Sequence, residues 1–182
     1  MVSSKYALHI VFVSALCASS GFAQLPVKPR ASPLAIASAK YKDTYIKITY
    51  SQPHRRGREV FGKLVPYNEV WRTGANEATE ITLTREAYIG SLLVPAGTYT
   101  LFTIPGEEKW TIILNKENGL WGSYNYNAKL DLLRFEVSVS ANSVSYEAFT
   151  IVFDQRNNVA ELLLLWDTVK VSIPIQFIEP KI

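Results

Sequence analysis

Cysteine and histidine are scarce, and their scarcity excludes several kinds of site. The chain of 182 residues has one cysteine, Cys17, and two histidines, His9 and His54. Cys17 and His9 lie in a predicted signal peptide, so the mature chain is expected to lack disulfide bonds and thiolate metal sites. His54 alone cannot build a zinc site that requires several histidines. The sequence therefore predicts neither a metal nor a cofactor.

Long apolar runs and a strong charge imbalance are also absent. Lys and Arg number 19, and Asp and Glu number 16, a balance that predicts no nucleic-acid partner and no acidic disordered chain. No apolar run reaches the roughly 20 residues of a transmembrane helix. Apolar residues make up 48% of the chain, which is typical of a globular protein. The length is that of one domain.

The first residues have the pattern of a cleaved signal peptide. Lys5 supplies a positive charge, residues 7–18 form a short apolar run, and Gly21-Phe22-Ala23 offers small residues before a cleavage point. We therefore predict a signal peptide over residues 1–23. The protein is expected to be exported to the periplasm or to the outside of the cell.

A lipid anchor on Cys17 is not expected. Bacterial lipoproteins are cut just before a cysteine, but bulky Leu16 stands where a small residue would be expected. The mature chain is therefore predicted to begin at Gln24, without a lipid and without a transmembrane segment.

Alternating apolar and polar residues predict an all-β protein. Residues 44–51 and 80–85 have the period of two that half-buried strands show. No segment of about ten residues keeps a helical period, and helix is expected only as a short turn near residues 128–133. Breaks at Gly, Pro and Asn divide the chain into short strands. This pattern predicts a single-domain β-sandwich, jelly-roll-like, over residues 41–182.

Three segments are predicted to lie outside the strands: a linker, a turn and a break. Residues 24–40 are rich in Pro and Ala and are predicted to be a linker. Ala141-Asn142 is interpreted as a hairpin turn, and Asp167-Thr168 as a break between two strands. The C-terminal region is therefore expected to contain several short strands.

Two catalytic motifs are incomplete. Residues 57–63 match the beginning of a phosphate-binding loop, but Leu64 follows where a Ser or Thr hydroxyl would hold magnesium. A Ser-His-Asp triad would have to use His54, and no Gly-x-Ser-x-Gly motif supplies its nucleophile. Neither nucleotide hydrolysis nor serine hydrolase chemistry is predicted.

The segment 67–79 is the richest in functional side chains. It places Trp71, Arg72, Asn76 and Glu77 around Gly74. Trp stacks on flat apolar faces, Arg binds oxyanions through two bonds, and Asn both donates and accepts hydrogen bonds. These residues predict a site for a polar ligand, and its other candidate members are Arg58, His54 and Trp121. The alternative is a polar network that fixes a long connection between strands.

Four of these residues are expected to meet in space. Gly74 allows the chain to reverse, which could bring Arg72 and Glu77 side by side together with Asn76. Arg58 is expected to join them from the preceding loop. Two arginines facing one glutamate would leave a guanidinium free for a carboxylate, a phosphate or a sugar hydroxyl.

Carboxylates in the same region support a second hypothesis. Glu59, Glu69, Glu77 and Glu80 lie in one stretch of sequence, and a glycosidase needs two carboxylates roughly 5–9 Å apart. The same glutamates could instead balance the charge of nearby arginines in surface ion pairs.

The chain also resembles a known family at several motifs in order. These motifs are Tyr50-Ser51-Gln52-Pro53, Val70-Trp71-Arg72-Thr73-Gly74-Ala75-Asn76-Glu77-Ala78-Thr79, Pro95-Ala96-Gly97-Thr98-Tyr99 and Trp121-Gly122. Over residues 32–177 the chain is similar to exported bacterial proteins catalogued as domain of unknown function 2911. The resemblance implies a compact β domain exported from a Gram-negative cell, and it implies no reaction.

Three functions follow as expectations. The leading one is a non-catalytic binding domain for a polar small molecule or glycan. The second is a glycan hydrolase that uses two of the carboxylates Glu59, Glu69 and Glu77, and the third is a structural envelope protein without a small ligand.

Overall fold

The structure is a computed structural model, and it describes residues 28–179. The predicted signal peptide, Cys17 and the predicted mature N-terminus at Gln24 lie outside these residues. The all-β prediction is confirmed, with nine strands and one turn of 3-10 helix at Ala128–Leu130, inside the segment where a short helical turn was expected. Within residues 28–179 no helix has the length and apolar character needed to cross a membrane.

The strands follow one another along the chain with short connections, apart from long connections before the third and the eighth. Their bounds are β1 Leu34–Tyr41, β2 Thr44–Ser51, β3 Ala75–Leu83, β4 Ala87–Ile89, β5 Leu92–Val94, β6 Gly97–Ile104, β7 Lys109–Asn115, β8 Asp131–Arg156 and β9 Val159–Phe177. Strand β2 begins and ends where the period of two predicts.

All nine strands form one antiparallel sheet in the order β1-β2-β3-β6-β7-β8-β9-β4-β5. Strand β8 joins the two halves, since it pairs with β7 up to Ser138 and with β9 from Val139 onward. The halves face each other across the main core, where the rings of Tyr50 in β2 and Phe149 in β8 have centroids 5.8 Å apart. A sandwich is thus built from one continuous sheet that folds over its own apolar face.

The linker prediction is wrong for residues 34–40, because they belong to strand β1. This strand pairs with β2 over its whole length, from Leu34 opposite Ser51 to Tyr41 opposite Thr44. Ala37 and Ala39 are buried on its inner side. Alanine has a low intrinsic preference for strands, so the pairing with β2 decides the structure of a segment whose composition suggests a linker.

The predicted turn at Ala141-Asn142 and the predicted break at Asp167-Thr168 are also wrong. Both lie inside long strands, β8 and β9, whose register shifts on either side of the pair Tyr146 and Asp167. Asp167 has a φ of 52°. These are the features of β-bulges, which bend a strand without ending it. The residues that were interpreted as a turn and a break therefore lie at or near bends within continuous strands.

Candidate functional site

Strand β3 contains a bulge at the end that carries the motif. Thr49 of β2 pairs with Glu80 of β3, and Ser51 pairs with Ala75. The four residues 76–79 therefore lie opposite Tyr50 alone. Asn76 at the start of the bulge has a φ of 56°, a backbone region that Asn tolerates better than most residues. A bulge redirects side chains, and this one contains Glu77.

The loop that follows β7 returns to this bulge and brings Trp121 beside Glu77. Ala78 N donates to Leu120 O at 2.9 Å, and Gly122 N donates to Asn76 O at 3.0 Å. Glu77 and Trp121 stand opposite each other in an antiparallel bridge, an arrangement that places Cβ atoms about 5 Å apart. Trp121 is 58% exposed, so its indole lies at the surface on the segment that pairs with Glu77.

Gly122 brings Arg72 and Tyr124 to the same place. It has a φ of 70°, and a Cβ there would lie 2.7 Å from the Tyr124 ring and 3.5 Å from Arg72 Nη1. The ring of Tyr124 therefore packs directly on the glycine backbone, with the Arg72 guanidinium beside it. Tyr124 is 82% exposed. Tyr124 was not among the residues proposed from the sequence. Its position two residues after Gly122 was the only sequence feature that could have pointed to it.

The carboxylate of Glu77 is held by groups from two other segments. Arg30 binds it through two bonds, from Nη2 to Oε1 at 2.5 Å and from Nη1 to Oε2 at 3.1 Å. Ser51 Oγ donates to Oε2 at 3.1 Å. The bonded Arg30 guanidinium lowers the pKa of Glu77 below its ordinary value. Both side chains are about half exposed, so water screens much of their attraction.

Arg30 belongs to a segment without regular secondary structure, residues 28–33, which we call the N-terminal strap. Its backbone carbonyls accept three hydrogen bonds, and these contacts are Gln52 N to Pro33 O at 2.8 Å, Arg56 Nη2 to Ala31 O at 3.0 Å and Asn76 Nδ2 to Ser32 O at 3.5 Å. The strap thus crosses the end of the sheet where the motif residues lie. Composition and periodicity gave no indication of this contact.

A groove of about 260 Å³ runs along the bulge, and we call it the Glu77 groove. Its polar lining includes Arg30, Ser51, Glu77 and Glu80, and Leu34 is one of its apolar residues. The carboxylate of Glu80 accepts a hydrogen bond of 2.9 Å from Gly119 N. The volume is just below the usual range for drug-sized ligands, about 300–1,000 Å³. It suits a small polar group or one end of a larger ligand.

Trp71 lies in the core and not at the surface. It is 8% exposed, and its ring stacks on that of Trp166 with centroids 5.9 Å apart and an interplanar angle of 18°. The Phe149 ring meets it edge-on at 5.0 Å. Its Nε1 donates to Gly74 O at 3.0 Å, which fixes the turn that the motif forms. Trp71 therefore supports the site from the core side of the sheet, and neither face of its ring is free for a ligand.

Arg58 and His54 are absent from the Glu77 groove. Arg58 donates to two backbone carbonyls of its own loop, from Nε to Arg55 O at 2.8 Å and from Nη2 to His54 O at 2.7 Å. Within the described part of the chain, Arg30, and neither Arg58 nor Arg72, bonds to the carboxylate of Glu77, and Arg72 Nε is buried without a hydrogen-bond partner. His54 forms a backbone bridge with Ala148 of β8, and its Nδ1 is buried without a hydrogen-bond partner.

The loop that carries Arg58 and His54 docks instead on the bulge of β8. Arg55 Nη1 donates to Asp167 Oδ1 at 2.6 Å, and Ser145 Oγ donates to the same atom at 2.8 Å. Arg56 N donates to Glu147 Oε1 at 2.7 Å. These bonds fix the loop against the sheet.

The structure therefore divides the seven residues proposed from the sequence. Arg72, Asn76, Glu77 and Trp121 come together at the bulge of β3, and three do not join them. The polar groove members Arg30 and Ser51 were not proposed from the sequence, and Glu80 was considered only as one of four clustered carboxylates. Glu59 and Glu69 are exposed outside the groove. Among residues 28–179 no three His, Cys, Asp or Glu side chains are grouped as metal ligands.

Acid is expected to release the strap from Glu77. Because the pKa of Glu77 is lowered in the folded state, its pair with Arg30 contributes fully above the unfolded pKa of about 4.3 and is lost as the pH falls through the lower folded value. The carboxyl shift of Glu77 and the amide shifts of residues 30–32, followed by NMR, should therefore change together below about pH 4.3.

The matched control for this titration is Arg85→Ala. It removes a pair with Asp43 at 2.7 Å whose side chains are about as exposed as those of Arg30 and Glu77, and it should leave the titration of Glu77 unchanged. A midpoint for Glu77 at its ordinary value, or strap amides that do not follow it, would contradict the pairing.

Comparison with known proteins places this geometry in one family. A family model described as "Protein of unknown function (DUF2911)" matches residues 32–175. The matched region includes the bulge of β3, most of the groove and the loop with Trp121. No curated protein and no solved structure matches the chain.

Proposed function

The chain belongs to the DUF2911 family, and we propose that it is an exported, non-catalytic binding domain for a polar small molecule or glycan. The Glu77 groove is the proposed binding site. Trp121 and Tyr124 are the proposed stacking surfaces at its edge, and the periplasm or the cell exterior is the proposed location.

The observation that carries this proposal is an exposed tryptophan, Trp121, bridged through its backbone to Glu77, whose carboxylate is hydrogen-bonded in the groove. Large aromatic side chains bury most of their surface in ordinary cases, yet Trp121 is 58% exposed and Tyr124 82% exposed. An aromatic face binds the apolar side of a sugar ring or another flat group. Glu77 and Ser51 supply an acceptor and a hydroxyl within reach of such a ligand.

The lowered pKa of Glu77 argues against its acting as the general acid of a hydrolase. A general acid at neutral pH needs a raised pKa, whereas Arg30 lowers the pKa of Glu77. Glu77 and Glu80 do line one groove, which is the observation that favours the hydrolase alternative. Both carboxylates, however, already accept hydrogen bonds from the protein itself.

The structural alternative accounts for one part of the motif. Trp71, Thr73 and Thr79 are buried and hydrogen-bonded to the turn around Gly74. Those bonds do not explain why Trp121 and Tyr124 face solvent. We therefore assign the buried residues of the motif to stability and the exposed ones to the ligand.

A thermal-shift screen of the protein against glycans, organic acids and metals tests this proposal. A ligand present at 100 times its dissociation constant should stabilise the folded state by about 2.7 kcal/mol. For such a ligand, Trp121→Ala should weaken binding about tenfold, because a stacked aromatic contact contributes roughly 0.5–1.5 kcal/mol beyond its buried area.

The control for Trp121→Ala is Tyr88→Ala, which removes an aromatic residue of β4 that is 38% exposed and lies outside the groove. It should leave the affinity unchanged. Equal binding by the wild type and Trp121→Ala would overturn the proposed site, and a screen without any stabilising ligand would favour the structural alternative.

A further inference from the structure

The Glu77 groove already holds a cation that comes from outside the sheet. The guanidinium of Arg30 lies in it and bonds to both oxygens of Glu77. Paired parallel bonds of this kind match the planar fork of a guanidinium, and an ammonium group has no equivalent geometry. The sheet itself therefore presents a receptor for a guanidinium, which the strap fills.

The remaining groups of the groove are suited to the same kind of ligand. Glu80 adds a second carboxylate, and Ser51 Oγ directs its proton to Glu77. Among the described residues that line the groove, Arg30 is the only cation. Leu34 is 57% exposed at its edge, so an apolar stem beside the charged group would find a surface to pack on.

The strap is held in a way that allows its replacement. It has no regular secondary structure, and it is fastened by the Arg30 pair and by three hydrogen bonds to its backbone carbonyls. The Arg30 side chain is 49% exposed. Exposed ion pairs are weak and screened by salt, so a second guanidinium at sufficient concentration can compete for Glu77.

We propose that the ligand of the Glu77 groove carries a guanidinium group, as an arginine side chain does, and that the N-terminal strap is its built-in competitor. The proposal rests on the proposed function, because it names the chemistry of the ligand for the same groove. The guanidinium of a ligand can bond to Glu77 only when Arg30 has left it. Its apparent affinity is therefore reduced by the fraction of molecules in which the strap is open.

Calorimetric titration with blocked amino acids tests this competition. The probe is N-acetyl-arginine methylamide, and N-acetyl-citrulline methylamide is its neutral counterpart of nearly the same shape. Arg30→Ala should bind the arginine probe about fivefold more tightly than the wild type, since the strap no longer occupies Glu77. The citrulline probe should bind with much lower affinity than the arginine probe. The affinity of N-acetyl-lysine methylamide should lie between the two.

Arg85→Ala is the matched control, because it removes an arginine of comparable exposure whose partner is Asp43. It should bind the arginine probe as the wild type does. Adding Glu77→Gln to Arg30→Ala should abolish the gain, and far-UV circular dichroism with thermal melting establishes that each variant folds.

The possible results separate this proposal from the proposed function. Equal affinity of Arg30→Ala and the wild type for the arginine probe, or equal binding of arginine and citrulline, overturns the guanidinium proposal. If a neutral sugar from the screen still binds, and Trp121→Ala weakens that binding, the proposed function stands even though the guanidinium proposal fails. If no probe and no screened compound binds to any folded variant, both fail.

Discussion

Replacing Trp71 by alanine is expected to lower the free energy of unfolding by about 3–5 kcal/mol, the usual cost of removing a large buried aromatic side chain. Trp71 is 8% exposed and packs against four other aromatic rings of the core, those of Phe61, Trp110, Phe149 and Trp166. Its loss leaves a cavity between the two halves of the sheet and an unpaired carbonyl at Gly74. Chemical denaturation followed by far-UV circular dichroism measures the effect without relying on tryptophan fluorescence.

Trp121→Ala is the matched control for this prediction, since it removes the same side chain from the surface. A surface substitution of this kind changes stability by no more than about 0.5 kcal/mol. The two tryptophans therefore separate the two roles of the motif residues, with Trp71 acting on stability and Trp121 on ligand binding. A similar loss of stability in both variants would mean that Trp121 also belongs to the packed structure.

Replacing Thr79 by valine is expected to cost about 1–3 kcal/mol, although the two side chains have nearly the same shape. Thr79 Oγ1 donates to Thr73 O at 2.7 Å, and Thr73 is fully buried with a φ of 52°. A β-branched residue rarely adopts this left-handed conformation, so the turn depends on the bonds that hold it. Valine would leave the Thr73 carbonyl buried without its donor.

Thr82→Val provides the control, and Thr79→Ser provides the rescue. Thr82 lies in the same strand, but its hydroxyl meets Thr98 in a partly exposed position, where water can replace the lost bond. Serine at position 79 keeps the donor and should recover most of the stability. If Thr79→Val and Thr82→Val lose the same amount, the bond to Thr73 does not hold the turn.

Both predictions concern residues that also belong to a family motif, and the structure explains why one motif combines two roles. The bulge of β3 is possible only because the turn before it is fixed from the inside by Trp71 and Thr79. The same bulge holds Glu77 opposite Trp121 at the surface. Stability and the candidate site are thus consequences of one local irregularity in the sheet.

The fold class was predictable because it depends on local pattern. Residues with a period of two become strands wherever one face is buried, and β2 shows this directly, with Ile46 and Ile48 fully buried. The failures arose where local composition and tertiary pairing disagree. An Ala-rich stretch became β1 because β2 offered it a partner, and polar residues inside β8 and β9 became bulges because the long strands had to bend around the core.

The sequence by itself determined which residues could form a polar site, since Arg72, Asn76 and Glu77 are neighbours in the chain. It could not determine which cation would meet Glu77. Arg72 and Arg58 were the nearer candidates in sequence, whereas Arg30 is 47 positions from Glu77. The pairing of β1 with β2 and the bulge in β3 bring Arg30 and Glu77 together, and Arg58 is held in its own loop by backbone carbonyls. Only the tertiary structure decided that choice, because contacts between distant segments depend on strand register and leave no periodic signal in the chain.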